Sequence, residues 1–459
     1  METHRKESDS MGEVLIPAWA YWGAQTQRAV ENFSVSPLRI PPAFIRALAL
    51  VKKNAARTNA SLKLIEPEIA EAIMTAAAEV YDGKWDDHFP IDVFQTGSGT
   101  SWNMNINELI SNRANELLGQ PLGTRHPVHP NDHVNRGQSS NDVIPTALHV
   151  ANRLAIEILL DALATLERSF AAKGKEFDDV IKLGRTHLQD AVPMSLGQEF
   201  SGFKTQIKKA IGRVNATLPN LEELALGGTA VGTGINCDPS FAEKAIAGIA
   251  DDTGLPFRPA ENLFEAIATR DAQLELMGAL NVLASGLMKI ANDLRLLASG
   301  PRGSLGEIVL PSLQPGSSIM PGKVNPVIPE MVIQAAAHVN GKVVSVTIGA
   351  QNGPLELNMM HPIIAHETLS SIDLLAHTCR ALATRCVDGI TADEERCKHW
   401  IEWSLALVTP LAVRIGYDKA SELAYTAYKQ RRTIRDVVRE AGILSGQELT
   451  DILDPAGMT

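Results

Sequence analysis

Four polar, glycine-bearing segments carry the residue types that bind and activate a small anion. They are Thr96-Gly-Ser-Gly-Thr100, Gln138-Ser-Ser-Asn-Asp142, Gly184-Arg-Thr-His-Leu-Gln-Asp190 and Gly316-Ser-Ser-Ile-Met-Pro-Gly-Lys-Val-Asn-Pro326. At least two run directly into a predicted helix, where unpaired backbone N–H groups and the helix dipole favour negative charge. Ser, Thr and Asn there donate hydrogen bonds to a carboxylate, and Lys323 adds a full positive charge. Taken singly, each segment also reads as caps and turns. Four sharing one vocabulary point instead to an anion site. The fourth is the most specific, because one loop holds Ser317, Ser318, Lys323 and Asn325 with apolar Ile319 and Met320 between them.

Other chemistry-bearing features point elsewhere. His126-Pro-Val-His-Pro-Asn-Asp-His133 invites a metal reading, but Pro127 and Pro130 interrupt any helix and the spacing matches no zinc pattern, so no metal is expected. Gly227-Gly-Thr-Ala-Val-Gly-Thr-Gly234 fits neither GxGxxG nor GxxxxGK[ST], which argues against a nucleotide. No GxSxG elbow accompanies Ser98 or Ser317, which argues against a Ser–His hydrolase. The basic run Lys429, Arg431, Arg432, Arg435 and Arg439 reads as a solvated helix face rather than a nucleic-acid patch.

Composition sets the frame for these groups. The 459 residues are 45% hydrophobic and carry 42 Lys+Arg against 53 Asp+Glu, a formal charge of -11. Such a chain buries a large core, and its acidity argues against nucleic acid or an anionic membrane as main partner. A small anionic substrate remains compatible, since a site can be locally positive. The four cysteines form no CxxC, so neither a disulfide scaffold, a zinc ribbon nor an iron–sulfur cluster is expected. No run of about 18 apolar residues is free of charge, so no membrane span is expected. The first residues resemble neither a secretory signal nor a transit peptide, and a cytoplasmic location is expected.

Helical period dominates the elements that must position the segments. Leu276, Leu280, Leu283, Leu287, Ile290, Leu294 and Leu297 follow alternating spacings of four and three, the heptad pattern of a helix packed along near-parallel neighbours. A second long helix is predicted over 142–172, and 195–218, 327–347 and 362–386 also fit helices. The Val- and Ile-rich 327–347 is compatible with a strand by propensity. Shorter helices are predicted near 43–60, 66–82 and 433–441, the last with Thr433 and Asp436 as a capping box. Long helices without alternating strands predict a mainly α bundle rather than a doubly wound α/β fold. The domains read as 1–138 (N-terminal, mostly helical), 139–393 (central bundle) and 394–459 (small C-terminal).

GSSIMPGKVNP resembles the signature of the fumarase/aspartase superfamily, whose members eliminate a group beta to a carboxylate to leave fumarate. TGSGT, SSND, RTHLQDA and the Gly of PGKVNP resemble class II fumarases. Aspartases tend instead to carry Gly-Gly-Ala-Gly-Thr, Ser-Thr-Asn-Asp, a Gln where His187 stands and an Ala before the Lys. The similarity runs from about Asp9 to about Leu453, in the same motif order.

This resemblance implies a mainly α, three-domain fold whose long-helix bundle joins a homotetrameric core, with sites where segments from three subunits meet. It implies reversible, cofactor-free hydration of fumarate to L-malate in the tricarboxylic acid cycle, by anti addition and elimination through an aci-carboxylate carbanion. By motif position Ser317 matches the catalytic base, His187 the proton donor or acceptor, and Glu330 the carboxylate paired with that histidine. Ser98, Thr100, Ser139, Ser140, Asn141, Thr186, Ser318, Lys323 and Asn325 match the groups that bind the substrate carboxylates and the active-site water. His129, Asn131 and Asp132 match a secondary carboxylate site, and His126 departs from the Arg of some relatives. Another lyase of the superfamily, such as an aspartate ammonia-lyase, is the same-class alternative, with His187 against it. A catalytically silent helical scaffold is the different-class alternative, against which the intact Ser317, His187, Lys323, Asn325 and Asn141 stand.

Overall fold

The computed structural model describes residues 3–459. The chain divides into two compact units, each drawn from three separated stretches. The first comprises Met1–Leu160, Gly212–Val282 and His338–Leu375; the second comprises Asp161–Ile211, Leu283–Ala337 and Ala376–Thr459. Five long helices contribute residues to both.

In the first unit, an antiparallel hairpin of β1 (His4–Asp9) and β2 (Gly12–Pro17) opens the described chain. Sequence reading did not anticipate it, although Val14 and Ile16 alternate inward as a half-buried strand requires. Helices α1 (Ala24–Asn32), α2 (Pro42–Ser61), α3 (Pro67–Tyr81) and α4 (Thr100–Leu117) follow. Pro42 and Pro67 occupy the first turns of α2 and α3, where no intrahelical N–H is lost. The predicted helices at 43–60 and 66–82 are therefore present.

The long helices are α5 (Ser140–Glu176), α6 (Leu196–Leu221), α9 (Asp271–Leu297), α10 (Val327–Ala350) and α11 (His361–Arg385); the shorter α7 (Phe241–Thr253) and α8 (Leu263–Ala268) lie between them in sequence. All seven residues of the heptad stripe on α9 are buried. The Val-rich stretch is helical, and Val332, Val339 and Val346 recur at heptad spacing and are buried. Burial of one regular stripe thus outweighs the β-propensity of its residues. By length and hydropathy α5 and α9 could each cross a bilayer, which the charge-based reading did not anticipate; 67% and 44% of their apolar windows are buried inside the protein.

In the second unit, α5 leads into an antiparallel hairpin of β3 (Ile181–Thr186) and β4 (Gln189–Ser195). After α11 come α12 (Glu394–Trp403), α13 (Val408–Ile415), α14 (Tyr417–Gln430), α15 (Ile434–Ala441) and α16 (Gly446–Ile452). Leu183, Ile401, Leu407, Leu411, Leu423, Val437, Val438 and Leu449 form part of their core. Thr433 accepts from the Asp436 N–H, but the reciprocal capping box forms at Ser445 and Glu448 instead. Asp436 faces Arg439 at 3.6 Å. In the basic run Arg435 pairs with Glu402 and Arg432 with Glu440, as a solvated, charge-balanced face requires.

Candidate active site

Three of the four segments end at helix N-termini, and the fourth forms a hairpin tip. In the first, Gly99 takes φ +75° before α4, and the Ser98 and Thr100 hydroxyls lie 2.8 Å apart. A Cβ on Gly97 would sit 1.9 Å from the Met359 carbonyl oxygen, so only glycine lets these strands of backbone meet. In the second, the Ser139 hydroxyl accepts from the Asn141 N–H at 3.2 Å, while Asp142 accepts from the Ser139 N–H at 2.9 Å. This reciprocal cap aims Ser139, Ser140 and Asn141 from the positive end of α5.

Asp142 also accepts from the N–H groups of Gly227 and Thr229, and Asn141 donates to the Ala230 carbonyl. The glycine-rich 227–234 segment is thus a turn that braces this helix end. Burial pushes the Asp142 carboxyl up to about 6, against the lowering effect of the backbone N–H groups of Ser139, Thr229 and Gly227.

The third segment lies at the β3–β4 tip, a hairpin the helical reading did not predict. His187 (φ +56°) and Leu188 (φ +58°) occupy the two central positions of this turn, both left-handed and neither glycine nor asparagine. Such strain, about 1–2 kcal/mol per residue, is held where the surroundings over-determine it. The root of the hairpin supplies that hold. Arg185 pairs with Glu307 at 2.8 Å, Lys182 with Glu307 at 3.1 Å and with Glu199 at 2.6 Å, and Glu307 is fully buried. Sequence reading missed Lys182 and Glu307, because no local pattern joins them. Thr186 and His187 themselves are exposed.

The fourth segment closes on itself: the Gly316 N–H donates to the Lys323 carbonyl, and Asn325 Nδ2 donates to the Gly316 carbonyl, both at 2.7 Å. A Cβ on Gly316 would lie 2.5 Å from the Lys323 carbonyl oxygen. Inside the loop the Ser317 hydroxyl accepts from the N–H groups of Ile319 (3.2 Å) and Met320 (3.0 Å). Two amide donors lower the cost of an alkoxide at that oxygen. Lys323, Asn325 and Glu330 line a cavity of about 680 Å³ together with Arg295, Ser299 and Ser312. Glu330 stands in the first turn of α10, and among the described residues no hydrogen bond joins it to His187. Ser318 and Lys323 are exposed.

In the histidine-rich segment, His129 Nδ1 accepts from the N–H groups of Asn131 and Asp132, each at 3.2 Å, and His133 Nδ1 accepts from the His129 N–H at 2.8 Å. Each ring thereby spends its Nδ1 lone pair on a local cap. Among the described residues no group of three or more His, Cys, Asp or Glu is arranged to hold a metal ion. All four cysteines are free, and burial pushes the thiols of Cys379, Cys386 and Cys397 up to about 12, away from reactive thiolate.

The family model for Lyase matches residues 12–341, and that for the Fumarase C C-terminus matches residues 407–459. A relative named fumarate hydratase class II, from Halobacterium salinarum, is 54% identical over 459 residues, spanning 100% of this chain and 97% of the relative. Among solved structures, fumarate lyase:delta crystallin from Brucella melitensis bound to cobalt superposes with a TM-score of 0.96 at 47% identity, covering 99% of both chains. Recombinant class II fumarase from Schistosoma mansoni superposes at 0.95 with 41% identity, covering 98% of both. Motif, fold and whole-length identity agree, and the chain belongs to the class II fumarase family.

Proposed function

We propose that the chain catalyses the reversible hydration of fumarate to L-malate, with the helix N-termini of α4 and α5 binding substrate carboxylates and Ser317 as base. The observation that carries this reading is the Ser317 hydroxyl held by two backbone N–H groups, in a loop that also presents Lys323. Starting from L-malate, the Ser317 alkoxide removes a proton from C3, and the electron pair delocalises into the adjacent carboxylate as an aci-carboxylate. Asn141 and Lys323 stabilise that charge by hydrogen bonds and Coulomb attraction, while Ser139 and Ser140 bind substrate carboxylate alike in the ground and transition states. The C2–O bond then breaks anti to the lost proton, and the hydroxyl leaves as water with a proton from His187. Ser98, Thr100, Thr186, Ser318 and Asn325 complete substrate and water binding, and Glu330 orients His187.

The exposed positions of His187, Ser318 and Lys323 in a single chain support an assembly in which neighbouring copies complete each site. A homotetramer joined through the long helices is the form proposed, and an active species sedimenting at the 49.5 kDa of one chain would overturn it. His129, Asn131 and Asp132 are proposed to hold a second carboxylate near the entrance. The division into 1–138, 139–393 and 394–459 is retained as a reading, supported by the C-terminal family match that begins at residue 407. A place in the tricarboxylic acid cycle and a cytoplasmic location complete the proposal.

Ultraviolet absorbance of the fumarate double bond, followed with chelator-treated protein, tests the reaction. L-malate is expected to give signal and L-aspartate none. Signal from aspartate would favour an ammonia-lyase, and signal from neither would overturn the proposal.

A further inference from the structure

Behind the Ser139–Asn141 helix end runs a chain of side-chain hydrogen bonds that begins at a buried ammonium. Lys52, on α2, has 0% exposure. Its Nζ donates to Asn135 Oδ1 and to Gln138 Oε1, each at 2.9 Å. Asn135 Oδ1 also accepts from Asn103 Nδ2 at 3.3 Å, and Asn135 Nδ2 donates to the Gln138 carbonyl at 3.2 Å. Asn103, 1% exposed, donates from Nδ2 to the Ser140 hydroxyl oxygen at 3.0 Å.

The chemistry of these groups gives the chain a direction. An ammonium has three donors and no acceptor, so Asn135 must turn its oxygen toward Lys52. That oxygen makes Asn103 present its NH₂ end. One hydrogen of this NH₂ meets Asn135, and the other meets the Ser140 oxygen. With that lone pair taken from behind, the Ser140 hydroxyl keeps its own hydrogen for whatever lies in front.

We infer that Lys52 is a positioning residue for substrate: through Asn135 and Asn103 it sets the hydrogen-bond polarity of Ser140, so that this hydroxyl donates to a substrate carboxylate. The inference rests on the proposed role of Ser140 in substrate binding. Burying a lysine is costly, and an apolar side chain of like size would fill the space at less cost. Burial pushes the Lys52 ammonium down to about 7, opposed by the charge of Asp142. In its protonated form Lys52 offers only donors, as the directed chain requires.

The test compares Lys52→Met, Asn103→Asp and Ser140→Ala in the assembled enzyme. Lys52→Met removes the donor; Asn103→Asp keeps shape but offers Ser140 an acceptor, turning its hydrogen away from the substrate. Each is expected to raise KM for L-malate and fumarate about tenfold, the effect of one hydrogen bond to a charged group, with kcat changed less than about threefold. Combining Lys52→Met with Ser140→Ala is expected to add nothing to Ser140→Ala alone. A Lys52→Met enzyme with lowered Tm but unchanged KM, beside a Ser140→Ala enzyme with raised KM, overturns the inference and leaves the role of Ser140 standing. Independent, multiplying effects in the double variant also overturn it. Unchanged KM in Ser140→Ala would overturn the role of Ser140 itself, and the inference with it. If Lys52→Met fails to fold, Asn103→Asp alone decides: a KM like that of wild type overturns the inference.

Discussion

Ser140 and Ser317 are both hydroxyls fixed by hydrogen bonds, but in contrasting surroundings. Ser140 heads a 37-residue helix and is backed by Asn103, Asn135 and Lys52, which converge from three separate stretches of the first unit. Ser317 sits in a loop of the second unit, held by the N–H groups of the next few residues of its own chain. His187 likewise rides on a strained hairpin tip rather than in a core. Carboxylate binding gains from donors fixed before substrate arrives, and buried networks provide that. Proton transfer needs groups that reach a reacting atom, and loops on a rigid scaffold provide that.

Removing the loop's base tests this contrast most severely. Ser317→Ala is expected to lower turnover of L-malate by about a thousandfold while KM changes little, because it removes a proton-transfer group. Turnover near that of wild type would end its role as base. His187→Asn is expected to cost about a hundredfold in kcat, since Asn keeps the left-handed turn but has no ring nitrogen to donate or accept the proton. A loss in KM alone would move His187 from proton transfer to binding.

The first unit should reveal itself in stability instead. His361 is fully buried, and burial, with the Arg270 guanidinium nearby, holds its ring far below the usual imidazole range and therefore neutral. The unfolded chain takes up a proton there below about pH 6.5, so acid favours unfolding, by up to about 1.4 kcal/mol per pH unit. The urea midpoint is expected to fall between pH 6.5 and 5, and to fall less steeply in His361→Gln. Equal slopes would show that His361 does not stay neutral in the folded state. The smallest effect is expected at the hairpin tip. Leu188→Gly relieves about 1–2 kcal/mol of left-handed strain but restores about 0.4–1 kcal/mol of unfolded-state entropy, leaving a net gain of about 0.5 kcal/mol in thermal unfolding. A net loss would mean that the Leu188 side chain is itself held in the assembled enzyme.

Much of this was legible before folding. The heptad stripe announced α9, and the polar segments before α5 and α10 were marked as anion-binding helix ends. The β3–β4 hairpin was not, because Gly184 and Pro193 interrupt its alternation and its turn lacks the usual glycine or asparagine. Lys52 was hidden for a different reason. Beside Lys53 and Arg57 it reads as one more charge on a solvated face, and only packing shows that it points inward.

What the sequence by itself determined is local: which residues can cap a helix, donate to a carboxylate or close a loop, since these choices are made within a turn or two of chain. The tertiary structure decided which way those groups point. The direction of the Ser140 hydrogen depends on residues 52, 103 and 135, and the hold on His187 depends on Glu307, more than a hundred residues away. Hydrogen bonds and ion pairs act only over a few ångströms, so residues this far apart in sequence influence one another only once folding has made them neighbours.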